Sequence, residues 1–105
     1  MFKVVRKSDA FIRQILENKV AINYITKETN QNVSFAVTEA TDYIEEEEAK
    51  YDRIYYVLEG ELTLVFDEEK IFLKREDACL VSKGSKYSVK GTFKVVVVNQ
   101  PAFGS

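Results

Sequence analysis

The sequence contains no histidine and a single cysteine, Cys79. Imidazole is the commonest ligand for zinc, iron, copper and nickel and the usual general base near neutral pH. Its absence excludes Ser-His-Asp and Cys-His catalysis and any His-ligated metal centre. One cysteine excludes a thiolate zinc site and an internal disulfide, so nothing points to an oxidising compartment. Basic residues are not in excess: fifteen Lys and Arg stand against seventeen Asp and Glu, a formal net charge of -2. Such a chain offers no clustered cation for nucleic acid. Long apolar runs are missing too; the all-valine run at residues 95–98 is strand-sized and far short of a membrane span. Met1-Phe2-Lys3-Val4-Val5 lacks the sustained apolar stretch of a signal peptide. The expectation is a cytoplasmic protein with no metal or cofactor, no nucleic-acid partner and no membrane contact. No repeat, low-complexity linker or boundary divides the 105 residues, which suit one domain over 1–105.

What is present is β-texture. Residues 8–17 form the one helix-like stretch, with Ser8 as cap and Phe11, Ile12, Ile15 and Leu16 on one helical face. From Lys19 onward the chain turns to short runs of β-branched and aromatic residues. A strand is expected over 20–26, and Val33, Phe35 and Val37 alternate as a half-buried strand does. Residues 53–58 and 61–66 suggest a hairpin about Glu59-Gly60, and Asp67-Glu68-Glu69-Lys70 a second turn before Ile71. Further strands are expected at 78–81, 86–89 and 93–99, the last two separated by Lys90-Gly91-Thr92. Many short strands at this spacing imply an all-β sandwich or a jelly-roll barrel.

Two segments carry a family resemblance. Tyr55-Tyr56-Val57-Leu58-Glu59-Gly60-Glu61-Leu62 resembles the end of the first cupin motif, and Glu76-Asp77 with Ser82-Lys83-Gly84-Ser85 resembles the second. The fifteen residues between them, 61–75, match the short spacing of small bacterial cupins, and Asn99-Gln100-Pro101-Ala102-Phe103 is similar to their tail. The resemblance covers roughly residues 33–103 and implies a cupin-like jelly-roll β-barrel, RmlC-like, with a short N-terminal helix or helical turn. The metal ligands of that family do not carry over. Counting back from Gly60, the motif's glutamate falls on Arg53, and its two histidines on Glu47 and Ala49, or on Glu46 and Glu48 with the longer spacing. Counting forward from Gly84, the last histidine falls on Tyr87. The sequence is also similar to the ethanolamine-utilisation Q-type cupins, which combine a YVLEG strand with loss of the metal histidines. That similarity implies a small-molecule or phosphotransfer role.

Arg53 is the most informative residue. Strand alternation puts it on one face with Tyr55 and Val57, which the family register places inside the barrel. A guanidinium there needs an anionic partner or an escape to water. It either anchors an anionic ligand or pairs with an internal carboxylate, for which Glu47 is the candidate. Glu45-Glu46-Glu47-Glu48 must point both ways along a strand, which suits a solvated surface better than a cage for a hard cation. Tyr87, Tyr55, Tyr56 and Tyr51 offer phenol donors and flat apolar faces, or simply strand packing. Cys79 reads as a small buried residue and Asp77 as the organiser of a turn.

The expected function is binding of a small anionic organic molecule inside the barrel, with Arg53 as charge anchor, Tyr55 and Tyr87 as hydrogen-bonding and stacking partners, and Glu47 orienting Arg53. The alternatives are a metal-independent isomerase, epimerase or phosphotransferase using a Tyr or Glu acid/base, and a structural or assembly protein with a filled barrel. Residues around Phe2, Val4 and Val5 are apolar enough to form an exchanged strand, and a two-fold homodimer is expected.

Overall fold

A computed structural model describes residues 2–105. Seven strands follow a three-residue 3-10 turn at Lys7–Asp9: β1 Phe11–Leu16, β2 Lys19–Ile25, β3 Ser34–Glu48, β4 Asp52–Phe66, β5 Glu69–Leu73, β6 Ala78–Val81 and β7 Lys86–Gln100. All neighbours are antiparallel, in the order β1-β2-β3-β7-β4-β5, and β6 pairs with β4. Three of the strands run for 15 residues. Two of them break register midway against the third: β3 between Ala40 and Tyr43, and β4 between Val57 and Glu59, both against β7. The breaks lie at one level, since Tyr43 and Leu62 both face Gly91 and Gly60 faces Phe93. Bulges aligned across neighbouring strands bend a sheet sharply. One half, β1-β2-β3-β7-β4-β6, is thereby folded over the other, β3-β7-β4-β5, and the result is a jelly-roll barrel.

Glycine makes the fold line possible. Gly60 has φ +78°, and a Cβ there would collide with the backbone carbonyl of Thr92; a Cβ on Gly91 would collide with that of Glu61. Two backbones can approach this closely only where the side chain is missing. Glu59-Gly60 is therefore a bend within one strand and not the turn of a hairpin: residues 53–57 and 59–65 both pair with β7. Residues 86–89 and 93–99 are likewise one strand, through Lys90-Gly91-Thr92. The expected turn at Asp67 is present and joins β4 to β5.

The helix-like stretch 8–17 is also different in the fold. Only the 3-10 turn is helical, and Phe11–Leu16 pairs with β2 as an edge strand. The spacing of Phe11, Ile12, Ile15 and Leu16 suits a helical stripe, yet it also puts two apolar residues on each face of a strand. The backbone hydrogen bonds available along β2 decide between the two, and a local pattern cannot register them.

The barrel is filled at one end and open at the other. Val57, Leu62, Leu64, Leu73, Val81 and Val95 are fully or nearly fully buried and close the β4–β5–β6 end. Toward β3 the inward residues are small or polar, and Ser34, Ala36 and Thr38, with Phe11 and Ile15 of β1 and Ala21, Asn23 and Ile25 of β2, line a cavity of about 580 Å³. Val33, Phe35 and Val37 thus lie on the opposite, outer face. Residues 2–6 belong to no strand.

Candidate functional site

Arg53 stands at the inner end of this cavity, on β4, at 8% exposure. Removing a guanidinium from water costs several kcal/mol, so its contacts must compensate. Directly across the ladder on β7 is Asn99, whose Oδ1 accepts a 2.8 Å hydrogen bond from Arg53 Nε. Arg53 Nη1 donates to the hydroxyls of Tyr55 at 3.4 Å and Tyr87 at 3.2 Å. Those hydroxyls are themselves 2.8 Å apart. Tyr55 comes from the same strand two residues on, and Tyr87 from the opposite half of the barrel. Edge-to-face packing of their rings and stacking of Tyr87 on Phe66, 5.2 Å between centroids, hold the phenols in place.

Glu47 is present but is not the main partner. Its Oε2 lies 3.9 Å from Arg53 Nη1, beyond hydrogen-bonding distance. Neutral acceptors therefore do most of the work of holding the cation. Their donor count leaves a surplus. A guanidinium carries five N–H groups and each phenol one O–H. Only one phenol proton is used between Tyr55 and Tyr87. Among the described residues Arg53 Nη2 bonds to no protein group, yet no buried side-chain nitrogen or oxygen lacks a partner. Nη2 is therefore not sealed off, and Arg53 lines the cavity.

The electrostatics follow from the geometry. Burial works against the charge on Arg53, but Tyr55, Tyr87 and Glu47 outweigh it and drive the pKa further up. Burial raises the Tyr55 phenol above its ordinary value of 10.0, and Arg53 only partly opposes that shift. Tyr55 is consequently a neutral donor and acceptor at physiological pH rather than an acidic phenol. Burial also raises the Cys79 thiol, which lowers its thiolate fraction.

Sequence reasoning brings Arg53, Tyr55, Tyr87 and Glu47 together, and in the fold they form one cluster. It misses three members. Asn99 ends an expected strand and begins the tail that carries the family resemblance, without being read as a site residue; its place opposite Arg53 depends on the β4–β7 register. Lys19 opens β2 and turns its amine inward, 2.8 Å from the Tyr43 hydroxyl and 3.8 Å from Glu45 Oε2. Tyr43 itself is buried in the opposing half, reached only because the sheet folds over. Of the other tyrosines, Tyr51 accepts a hydrogen bond from the Gly104 N–H and packs on Phe103, while Tyr56 points outward. Asp77 does organise its turn, accepting from the Lys74 N–H at 2.9 Å.

The acidic run alternates as a strand requires. Glu45 and Glu47 line the cavity, and Glu46 and Glu48 face solvent. Of the positions to which the cupin resemblance assigns metal ligands, the inward ones are Glu47, Ala49, Arg53 and Tyr87. One carboxylate beside a permanent cation does not fit a metal ion. Among the described residues, no group of three His, Cys, Asp or Glu is placed to hold one. Among the described residues, no helix is long and apolar enough to cross a membrane.

Comparison with known proteins yields a family and a fold. The family model of the ethanolamine utilisation protein EutQ matches residues 7–104. The EutQ protein of Clostridium difficile superposes with a TM-score of 0.75 at 23% identity, over 96% of this chain and 76% of that one. KdgF from Halomonas sp. gives 0.84 at 11% identity, over 99% and 97%. An RmlC-like cupin from Shewanella frigidimarina gives 0.79 at 15% identity, over 92% and 88%. At these identities the structural matches establish the cupin fold alone. No curated protein matches the sequence.

Proposed function

Since the chain belongs to the family of the ethanolamine utilisation protein EutQ, we propose that its barrel is a binding site for a small anionic organic molecule, anchored by Arg53. The unused donors of the Arg53 guanidinium carry this reading: Arg53 lines a cavity of about 580 Å³, a volume suited to a small ligand, and its Nη2 is neither bonded to a described protein group nor fully buried. The charged residues around the cavity support the sign of the ligand. Arg13, Lys19, Lys27 and Arg53 face Glu28, Glu45 and Glu47, four cations against three anions. Tyr55 and Tyr87 supply the spare phenol proton, and Glu47 keeps Arg53 oriented without occupying it.

The alternatives fare less well. A filled structural barrel is at odds with the cavity. An acid/base enzyme using Tyr55 as phenolate is disfavoured by the burial that keeps that phenol protonated. We place the protein in the cytoplasm, where a free Cys79 thiol is stable.

We also infer a homodimer. The outer face of the larger half-sheet carries a row of apolar side chains in register across five strands: Ile12 and Tyr56 are exposed, Ile22 and Val96 half-buried and Val37 already buried, with Leu80 on β6 beside the row at 66% exposure. A second copy of this chain would bury that row by a two-fold contact. The unpaired segment 2–6, with Phe2 and Val4 exposed, lies available for the same purpose.

The test of the ligand reading is thermal unfolding with small carboxylates and phosphates, alongside native mass spectrometry of the purified protein. A ligand at 100 times its Kd stabilises the folded state by about 2.7 kcal/mol, which raises Tm by about 10 °C or more in a domain of this size. The response should vanish in Arg53→Met. No shift with any such anion, and no carried ligand, would remove the proposal.

A further inference from the structure

We propose that Lys19 is a carbonyl-condensing amine, and that the ligand of this cavity is a small oxo acid whose carboxylate sits on Arg53 and whose carbonyl carbon lies at Lys19 Nζ. This inference rests on the anion-binding reading above and names the class of molecule that the same site would take.

Glu45 and Glu47 are two residues apart on one face of β3, a repeat of roughly 7 Å. Lys19 Nζ is 3.8 Å from Glu45 and Arg53 Nη1 is 3.9 Å from Glu47, so the two cations stand against neighbouring inward carboxylates of one strand and line the same cavity. A carboxylate on the guanidinium leaves a carbonyl one or two bonds further on within reach of the amine.

Charge selects the second functional group. With Lys19 as the free amine the rest of the lining balances, Arg13, Lys27 and Arg53 against Glu28, Glu45 and Glu47, so the anion is held by Arg53 and a single carboxylate is all the site compensates. A second carboxylate beside Lys19 would meet Glu45, whereas a neutral carbonyl would not. The amine is also prepared for the reaction. Its side chain is only 15% exposed, and burial lowers its pKa from 10.5, with Arg53 acting in the same direction against the opposing pull of Glu45 and Glu47. A desolvated lysine supplies the free amine that attack on a carbonyl needs.

Tyr43 completes the arrangement. Lys19 Nζ donates to its hydroxyl at 2.8 Å and lies 4.5 Å from its ring centroid, so the phenol proton is next to the reacting nitrogen. The nitrogen lone pair forms the C–N bond as the carbonyl π pair moves to oxygen, which takes up a proton. The carbinolamine then expels that oxygen as water while nitrogen loses its remaining proton, leaving an imine. The net change is one amine and one carbonyl to one imine and one water, with no redox partner. Tyr43 is placed to pass protons between nitrogen and the departing oxygen.

The experiment is reductive trapping of the whole protein at neutral pH with pyruvate and cyanoborohydride, read by peptide mapping. Lys19 should be labelled on the order of tenfold faster than exposed lysines such as Lys50 and Lys83. Propionate, which has the carboxylate without the carbonyl, should slow labelling at Lys19 alone. Tyr43→Phe should slow labelling while leaving the propionate-induced rise in Tm in place. If propionate raises Tm but Lys19 is labelled no faster than Lys50, the carbonyl chemistry is overturned and the anion site stands. If neither pyruvate nor propionate raises Tm, the anion site falls and the oxo acid with it.

Discussion

Whether Arg53 is free to receive a ligand depends on what holds it, and a double-mutant cycle decides this. The bond from Arg53 Nε to Asn99 Oδ1 is 2.8 Å long between buried groups. A hydrogen bond to a charged partner of this quality contributes about 1.5–3 kcal/mol. The Arg53–Glu47 contact is 3.9 Å, with the Glu47 side chain 26% exposed. Two charges at that distance attract by about 4 kcal/mol at an effective dielectric of about 20 and by about 1 kcal/mol in water. The access of Glu47 to water and its lack of a direct hydrogen bond move the pair toward the lower value. Urea unfolding of Arg53→Met, Asn99→Ala, Glu47→Gln and the two double variants should therefore return a coupling of about 1.5–3 kcal/mol for Arg53–Asn99 and about 1 kcal/mol or less for Arg53–Glu47. Arg53→Met alone should destabilise by no more than about 2 kcal/mol, because the lost hydrogen bonds are offset by the relieved desolvation. A Glu47 coupling equal to or larger than that of Asn99 would refute the reasoning. Arg53 would then be an internally neutralised structural residue.

Four further outcomes are expected. Tyr55 has its folded-state pKa raised, so its contribution to stability is complete below pH 10.0 and declines as the pH climbs past it. An ultraviolet titration should show at least one phenol ionising only with alkaline unfolding, and Tyr55→Phe should flatten that alkaline decline; six tyrosines titrating together in the folded protein would contradict it. Gly60→Ala should destabilise by several kcal/mol or prevent folding, since both its positive φ and the Thr92 carbonyl oppose a Cβ; a melting curve like that of the wild type would contradict the fold line. Elemental analysis of purified protein should find no stoichiometric zinc, iron, nickel, copper or manganese, and about one such ion per chain would overturn the metal-free site. Light scattering should give a dimer mass, Leu80→Glu should shift it toward monomer, and deleting residues 1–7 should weaken it; a wild-type monomer at micromolar concentration would end the dimer reading.

The sequence alone determines the class of this protein and the residues at its centre. Alternation along residues 53–57 puts Arg53 and Tyr55 on one face, and the period of two is a property of any strand. The lack of histidine bars the usual metal chemistry whatever the fold. The split of Glu45, Glu47 from Glu46, Glu48 follows from the same alternation. What the tertiary structure decides are the relations across strands. Gly60 and Gly91 look like turn residues, and only the shared partner β7 shows that they bend continuous strands. The helical spacing of 11–16 yields to a neighbouring strand that no local pattern contains. Asn99 meets Arg53 because of the β4–β7 register, and Lys19 meets Tyr43 and Glu45 because one half of the sheet folds over the other. Those contacts join residues 46 and 24 positions apart. Local residue preferences act over a few positions, whereas contacts at such separations exist only once the sheet has closed.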